Sequence, residues 1–121
     1  MHIHSFTFNP FQENTYVLHT AGEGIIVDPG CSDKNEQREL EEWLDRNGIL
    51  PVRVLLTHAH IDHVMGCAWL KERYGLLPEM HRNDLPILEA AEMQGAMFGV
   101  HCDPVPAPKH FLEAGDVIRL G

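Results

Sequence analysis

A chain of 121 residues, 44% of them apolar, suffices for one domain with one core and is too apolar for a disordered polymer. Eighteen acidic residues against nine basic ones give a formal charge of −9, which repels a phosphate backbone and argues against nucleic acid as the partner. No apolar run approaches the roughly eighteen residues of a membrane span, and "MHIHSFTFNP" lacks the basic region and long apolar core of a signal peptide, so no membrane partner and a cytoplasmic location are expected.

The opening reads as β. "HIHSFTF" has high β content, "NPFQEN" is turn chemistry, "TYVLHT" is a second strand, "AGEG" a turn, and "IIV" a buried third strand that stops at "DPG". A helix follows. Asp33 with Glu36 three positions on resembles a capping box, Ser32 being the other cap candidate. Leu40, Trp43 and Leu44 recur at helical spacing while Glu39, Glu41, Glu42 and Asp45 face water, and Asn47-Gly48 ends the helix. "VRVLLT" is a buried strand over 52–57. A second helix begins near Val64, carries Trp69, Leu70 and Tyr74, and ends at Gly75. "LLPEMH" is a short strand. Asp84 caps a third helix with Pro86 in its first turn, running towards Met97. "HCDPVPAPKH" is an irregular connection and "VIRL", Val117 to Leu120, is a final strand. Strands that alternate with helices after a β-meander make the chain α/β, with one mixed sheet and helices packed on it.

Cys31, Cys67 and Cys102 are odd in number and form no C-x-x-C, which argues for reduced thiols and against a disulfide framework or thiolate zinc knuckle. His101-Cys102 are adjacent in a loop and do not face each other as base and nucleophile. Cys67, one helical turn after His63, reads as a small buried hydrophobe.

The chemistry concentrates in "LLTHAHIDHVMG". His58, His60, Asp62 and His63 fall within six positions at the carboxyl end of a strand, where open α/β sheets gather their sites. Imidazole and carboxylate suit zinc, iron and manganese. In an extended loop His58, His60 and Asp62 point the same way and His63 does not. One segment can thus serve two ions, His58 and His60 on one, Asp62 and His63 on the other.

"THAHIDH" resembles the T-H-x-H-x-D-H signature of the metallo-β-lactamase fold hydrolases. "FQENTYVLHT", "GIIVDPG" and "HFLEAGDVIRLG" are similar to flanking segments of the glyoxalase II-like (hydroxyacylglutathione hydrolase-like) branch, so the likeness covers nearly all of the chain. It implies the N-terminal half of an αββα sandwich, a mixed sheet with helices on one face, as part of a truncated domain. The further histidines and the bridging aspartate of the family lie beyond the matched segments, and His81, His101 and His110 do not stand in their contexts. By the resemblance His58, His60, Asp62 and His63 bind one or two zinc ions, iron or manganese being alternatives. Asp28 supports the loop by hydrogen bonds without ligating the ion. Asp62 is the catalytic carboxylate. The implied reaction is attack by metal-supplied hydroxide on the carbonyl of a small acyl thioester such as an acylglutathione. The alternatives are a mononuclear iron enzyme oxidising persulfides and a catalytically silent metal-binding or self-associating piece. Because the family packs this sheet against a second one, a homo-oligomer is expected.

Overall fold

The computed structural model describes residues 1–120. Strands β1 (His2–Phe8) and β2 (Glu13–Thr20) form an antiparallel hairpin in unbroken register from His2–His19 to Phe8–Glu13, and β3 (Glu23–Val27) adds on antiparallel. Helix α1 (Lys34–Arg46) then crosses over, so β4 (Leu50–Leu55) lies parallel to β3. Strands β5 (Pro78–His81) and β6 (His110–Leu112) continue in parallel, and the six strands stand in the order of the sequence.

The start of α1 differs in detail from a capping box. Asp33 accepts from the Glu36 N–H at 2.8 Å, but the Glu36 carboxylate turns back to Ser32, taking its N–H at 2.7 Å and its hydroxyl at 2.9 Å. Both expected cap residues are used, one on each side of Glu36. Leu40 and Leu44 are buried on the sheet.

Between β4 and β5 the structure has two helices where the sequence suggested one. They are α2 (Ile61–Val64) and α3 (Cys67–Tyr74). The break falls at Gly66, whose N–H donates to the carbonyl of Pro29 at 2.8 Å and whose position leaves no room for a Cβ beside Cys31 Sγ. Gly75 ends α3 in the left-handed region (φ +69°). The third expected helix is likewise divided. A 3₁₀ turn at Arg82–Asp84 leads into α4 (Leu85–Glu89) and α5 (Ala91–Met97), and Asp84 makes no side-chain cap.

The last strand is corrected. Val117–Leu120 has no regular structure, and Val117 is exposed. The sixth strand is formed instead by His110–Leu112. Three contacts draw that segment to β5: the Lys109 N–H on the Pro78 carbonyl at 2.7 Å, His110 Nδ1 at 2.9 Å from Glu79 Oε1, and the Phe111 ring under the Arg82 guanidinium.

Two apolar clusters lie on one face of the sheet. Leu40, Leu44 and Leu70 pack on Phe6, Phe8, Val17, Ile26 and Val54. Ile61, Val64, Leu88 and Ala91 pack on Leu56 and Met80. The molecule is therefore a mixed six-stranded α/β sheet with its helices on one face. No helix among the described residues is long and apolar enough to cross a membrane.

The opposite face carries Ile3, Tyr16, Leu18, Val27 and Leu55 on neighbouring strands, with Ile3 64% and Tyr16 38% exposed. Apolar side chains grouped in this way on a sheet face favour association in water. Light scattering over a concentration series should give a mass above the 13.7 kDa of one chain, and Ile3→Lys with Tyr16→Lys should return it to that of a monomer. A monomeric mass for the unaltered chain at high micromolar concentration would contradict this.

Candidate metal centre

The site begins with the parallel pairing of β3 and β4, which brings their carboxyl ends side by side. Asp28 follows β3 in the left-handed region (φ +54°), a conformation aspartate tolerates better than most residues. Its buried carboxylate accepts the Thr57 N–H at 2.7 Å and, through the other oxygen, the Thr57 hydroxyl. Thr57 has one hydroxyl proton, and a carboxylate only accepts. The 3.0 Å contact between Thr57 Oγ1 and His58 Nδ1 therefore places a proton on Nδ1 and leaves the Nε2 lone pair of His58 free.

The extended backbone stops at His60, because Ile61–Val64 is helical. Alternation consequently does not reach Asp62. The His58 ring lies 5.1 Å from that of His63 and 6.2 Å from that of His60. Donor atoms of Asp28, His58 and His63 all lie within 4.8 Å of one another. His60, exposed at the N-cap of α2, stays outside that group. Asp62 stands at the rim, its Oδ2 3.4 Å from His63 Nε2. Asp28, His58, Asp62 and His63, but not His60, border a cleft of about 390 Å³ that also takes in Phe11, Gln12, Asn14 and Tyr16.

The β1–β2 hairpin braces the site from below with Asn9 and Glu13, which the sequence suggested as turn residues, and with Thr15 of the second strand. Asn9 Nδ2 donates to the carbonyls of Gly30 (3.0 Å) and Asp62 (2.9 Å), tying the metal loop to the Asp28-Pro29-Gly30 turn. Thr15 Oγ1 donates to the Asp28 carbonyl and accepts the Gly30 N–H. Glu13 is buried with Oε2 2.9 Å from Thr15 Oγ1, sharing that hydroxyl's one proton with the Asp28 carbonyl. Burial, opposed by the Thr15 hydrogen bond and reinforced by Asp28, Asp62 and Glu36, pushes its carboxyl up to about 8. Strand alternation held the signal for Glu13. Positions 13, 15 and 17 face inward together, and glutamate is out of place there.

The remaining candidates fall away from the cleft. His101 pairs with Asp103 at 2.6 Å rather than with Cys102, whose thiol is raised to about 11 by burial. Cys31 and Cys67 are buried, and burial raises both thiols.

The donor set fits a borderline divalent ion. Nδ1 of His63 faces the carboxyl groups of Asp28 and Glu13; in the tautomer that carries its proton there, Nε2 presents a lone pair to Asp62 Oδ2, two acceptors face to face. A cation between them resolves that opposition. His58 and His63 would hold it, with Asp62 beside them and Asp28 beneath.

Residues 8–121 match the sequence model of the metallo-beta-lactamase superfamily. The chain is 28% identical over 114 residues to the probable metallo-hydrolase YqgX of Bacillus subtilis, covering 93% of itself and 52% of that protein. It is 28% identical over 111 residues to the hydroxyacylglutathione hydrolase of Thiobacillus denitrificans, covering 91% of itself and 34% of the enzyme. The chain thus spans about half the length, or less, of these curated relatives. Its fold superposes on TTHA1623, solved in a di-iron-bound form, with a TM-score of 0.84 at 35% identity, covering 95% of this chain and 56% of that one.

Glu13 makes the metal-free protein sensitive to pH. Between the ordinary 4.5 and about 8 the folded state keeps a proton that the unfolded state has released. The contribution of Glu13 to stability is therefore fully present below the lower value and is lost as pH rises through the upper one, by at most about 1.4 kcal/mol per pH unit. Urea unfolding in chelator from pH 5 to pH 9 should show this decline, and Glu13→Gln should remove it. Parallel pH profiles for the two proteins would refute the assignment.

Proposed function

The chain belongs to the metallo-β-lactamase superfamily, and from that premise we propose that it carries part of the metal centre of a hydrolase acting on small acyl thioesters. One observation supports the reading above the others. Donor atoms of His58, His63 and Asp28 converge at the carboxyl ends of two parallel strands, beside an open cleft. The proposed ion is zinc, one or two per site, with iron or manganese sharing the donor preference. When bound, such an ion polarises a carbonyl and acidifies water.

The chain's own residues do the rest. Asp28 and Thr57 fix the loop and the tautomer of His58. Asp62 is the proposed proton acceptor, supported by its part-exposed carboxylate beside His63. The apolar rim at Phe11 and Tyr16 suits the acyl group. The thioester preference is supported by the likeness to a hydroxyacylglutathione hydrolase. Three buried free thiols agree with a reducing, cytoplasmic setting. A second reading is a mononuclear iron centre that oxidises persulfides; the di-iron-bound form of a 35% identical relative supports the iron alone.

Metal analysis of the purified chain should find zinc or iron, lost by a factor of ten or more in His58→Ala with His63→Ala. Any hydrolysis of an acylglutathione should be chelator-sensitive and absent from that variant. Oxygen consumption with a persulfide, and no hydrolysis, would select the iron reading. Metal uptake with neither activity would leave a silent metal-binding chain. Unchanged metal content in the folded double variant would overturn the site.

A further inference from the structure

Glu13 is an anomaly that the hydrolase reading does not absorb. It occupies an inward position of β2, among residues such as Val17 that build the core. A glutamate there is costly unless its oxygens are matched. One lies 2.9 Å from the Thr15 hydroxyl, but that hydroxyl's single proton also reaches the Asp28 carbonyl at 2.9 Å, so the match is shared. The other, Oε1, is buried and has no hydrogen bond.

The nearest group in want of a partner is His63. Its Nδ1 is likewise buried without a hydrogen bond, and it lies 3.7 Å from Glu13 Oε1. Asp28 Oδ2 is nearer, at 3.1 Å, yet that contact is not a hydrogen bond, since Nδ1 has no partner in hydrogen-bond geometry, and each Asp28 oxygen already accepts one bond from Thr57. Glu13 Oε1 is the neighbouring acceptor with no hydrogen bond at all. Gly30 protects this arrangement: a Cβ there would collide with Glu13 Oε2, with the Asp62 carbonyl and with Asn9 Nδ2. The turn that carries Asp28 is therefore shaped around the Glu13 carboxyl.

We propose that Glu13 is a positioning residue of the metal centre, taking the Nδ1–H of His63 on its Oε1 and so presenting Nε2 of His63 as the ligand nitrogen. The inference rests on the metal-centre reading above. In that bond the 3.7 Å contact shortens to the ~2.9 Å of an N–H···O pair. The group serves as an acceptor whether or not it carries a proton, so an amide can replace it and a hydrocarbon cannot.

Two substitutions separate this role from a structural one. Glu13→Leu fills the same inward space with a side chain that suits a core, and Glu13→Gln keeps the acceptor. Long-range proton–nitrogen NMR of the metal-free protein should show His63 as the Nδ1–H tautomer in the unaltered chain and in Glu13→Gln, and as a mixture in Glu13→Leu. Zinc affinity, measured by competition with a chromophoric chelator, should fall about 10–100-fold in Glu13→Leu and stay within about threefold in Glu13→Gln, while the thermal stability of the metal-free Glu13→Leu protein does not drop. An Nδ1–H tautomer retained in Glu13→Leu, or a shifted tautomer with unchanged zinc affinity, would overturn the proposal. Should Glu13→Leu fail to fold, Glu13→Ala carries the same comparison. A lack of zinc binding by the unaltered chain would count against the metal centre itself, and the tautomer comparison would still decide the role of Glu13.

Discussion

The hydrogen bonds from Thr57 to the Asp28 carboxylate are the constraint on which the site depends. They join the end of β3 to the end of β4 across the seam where the sheet changes from antiparallel to parallel. That seam exists because α1 carries the chain over the sheet and returns it beside β3. With the seam closed, His58 follows at a fixed place, its Nδ1 held by the hydroxyl that Asp28 holds. A left-handed backbone at Asp28 is unfavourable for most residues. It persists because the residue is gripped on every side: its N–H by the Leu55 carbonyl, its own carbonyl by Thr15, its carboxylate by Thr57.

Beneath that contact lies a polar layer where a sheet of this kind ordinarily buries hydrocarbon. Asn9, Glu13 and Thr15 replace apolar side chains at the hairpin end of β1 and β2, while Phe6, Phe8 and Val17 keep the core further along. Buried polar groups stabilise poorly but specify geometry when they are matched. Here almost every donor and acceptor in the layer is matched, and the two atoms that are not, Glu13 Oε1 and His63 Nδ1, face each other at the base of the cleft. Concentrating the mismatch there suits a site that must bind something.

How much of this was legible in the sequence differs from element to element, for physical reasons. The three opening strands, α1 and β4 could be read because alternation and helical spacing each persist over several residues. Val117–Leu120 misled because β-branched and apolar residues record only a willingness to form a strand. The segment that does so, His110–Leu112, is recruited by Glu79, Pro78 and Arg82, which are remote in sequence. The split of α2 from α3 was equally hidden, since Gly66 is tight only against Pro29 and Cys31. Within the site, density of ligands made His58, His60, Asp62 and His63 visible together. Their arrangement was not, because it turns on whether the backbone is extended or helical after His60, and four helical residues are too few for periodicity to reveal.

Asn9 and Glu13 show the deeper limit. Each sits among turn residues, and turn chemistry accounts well for asparagine, proline and glutamine there. What a local reading lacks is the identity of the far partners, Asp62 and Gly30 for Asn9, His63 for Glu13. A buried glutamate could still have been suspected from strand alternation alone, since the residues two and four positions later are fully buried. The inference would have run from a conflict between residue type and position towards function, which is the direction in which a local inconsistency carries information.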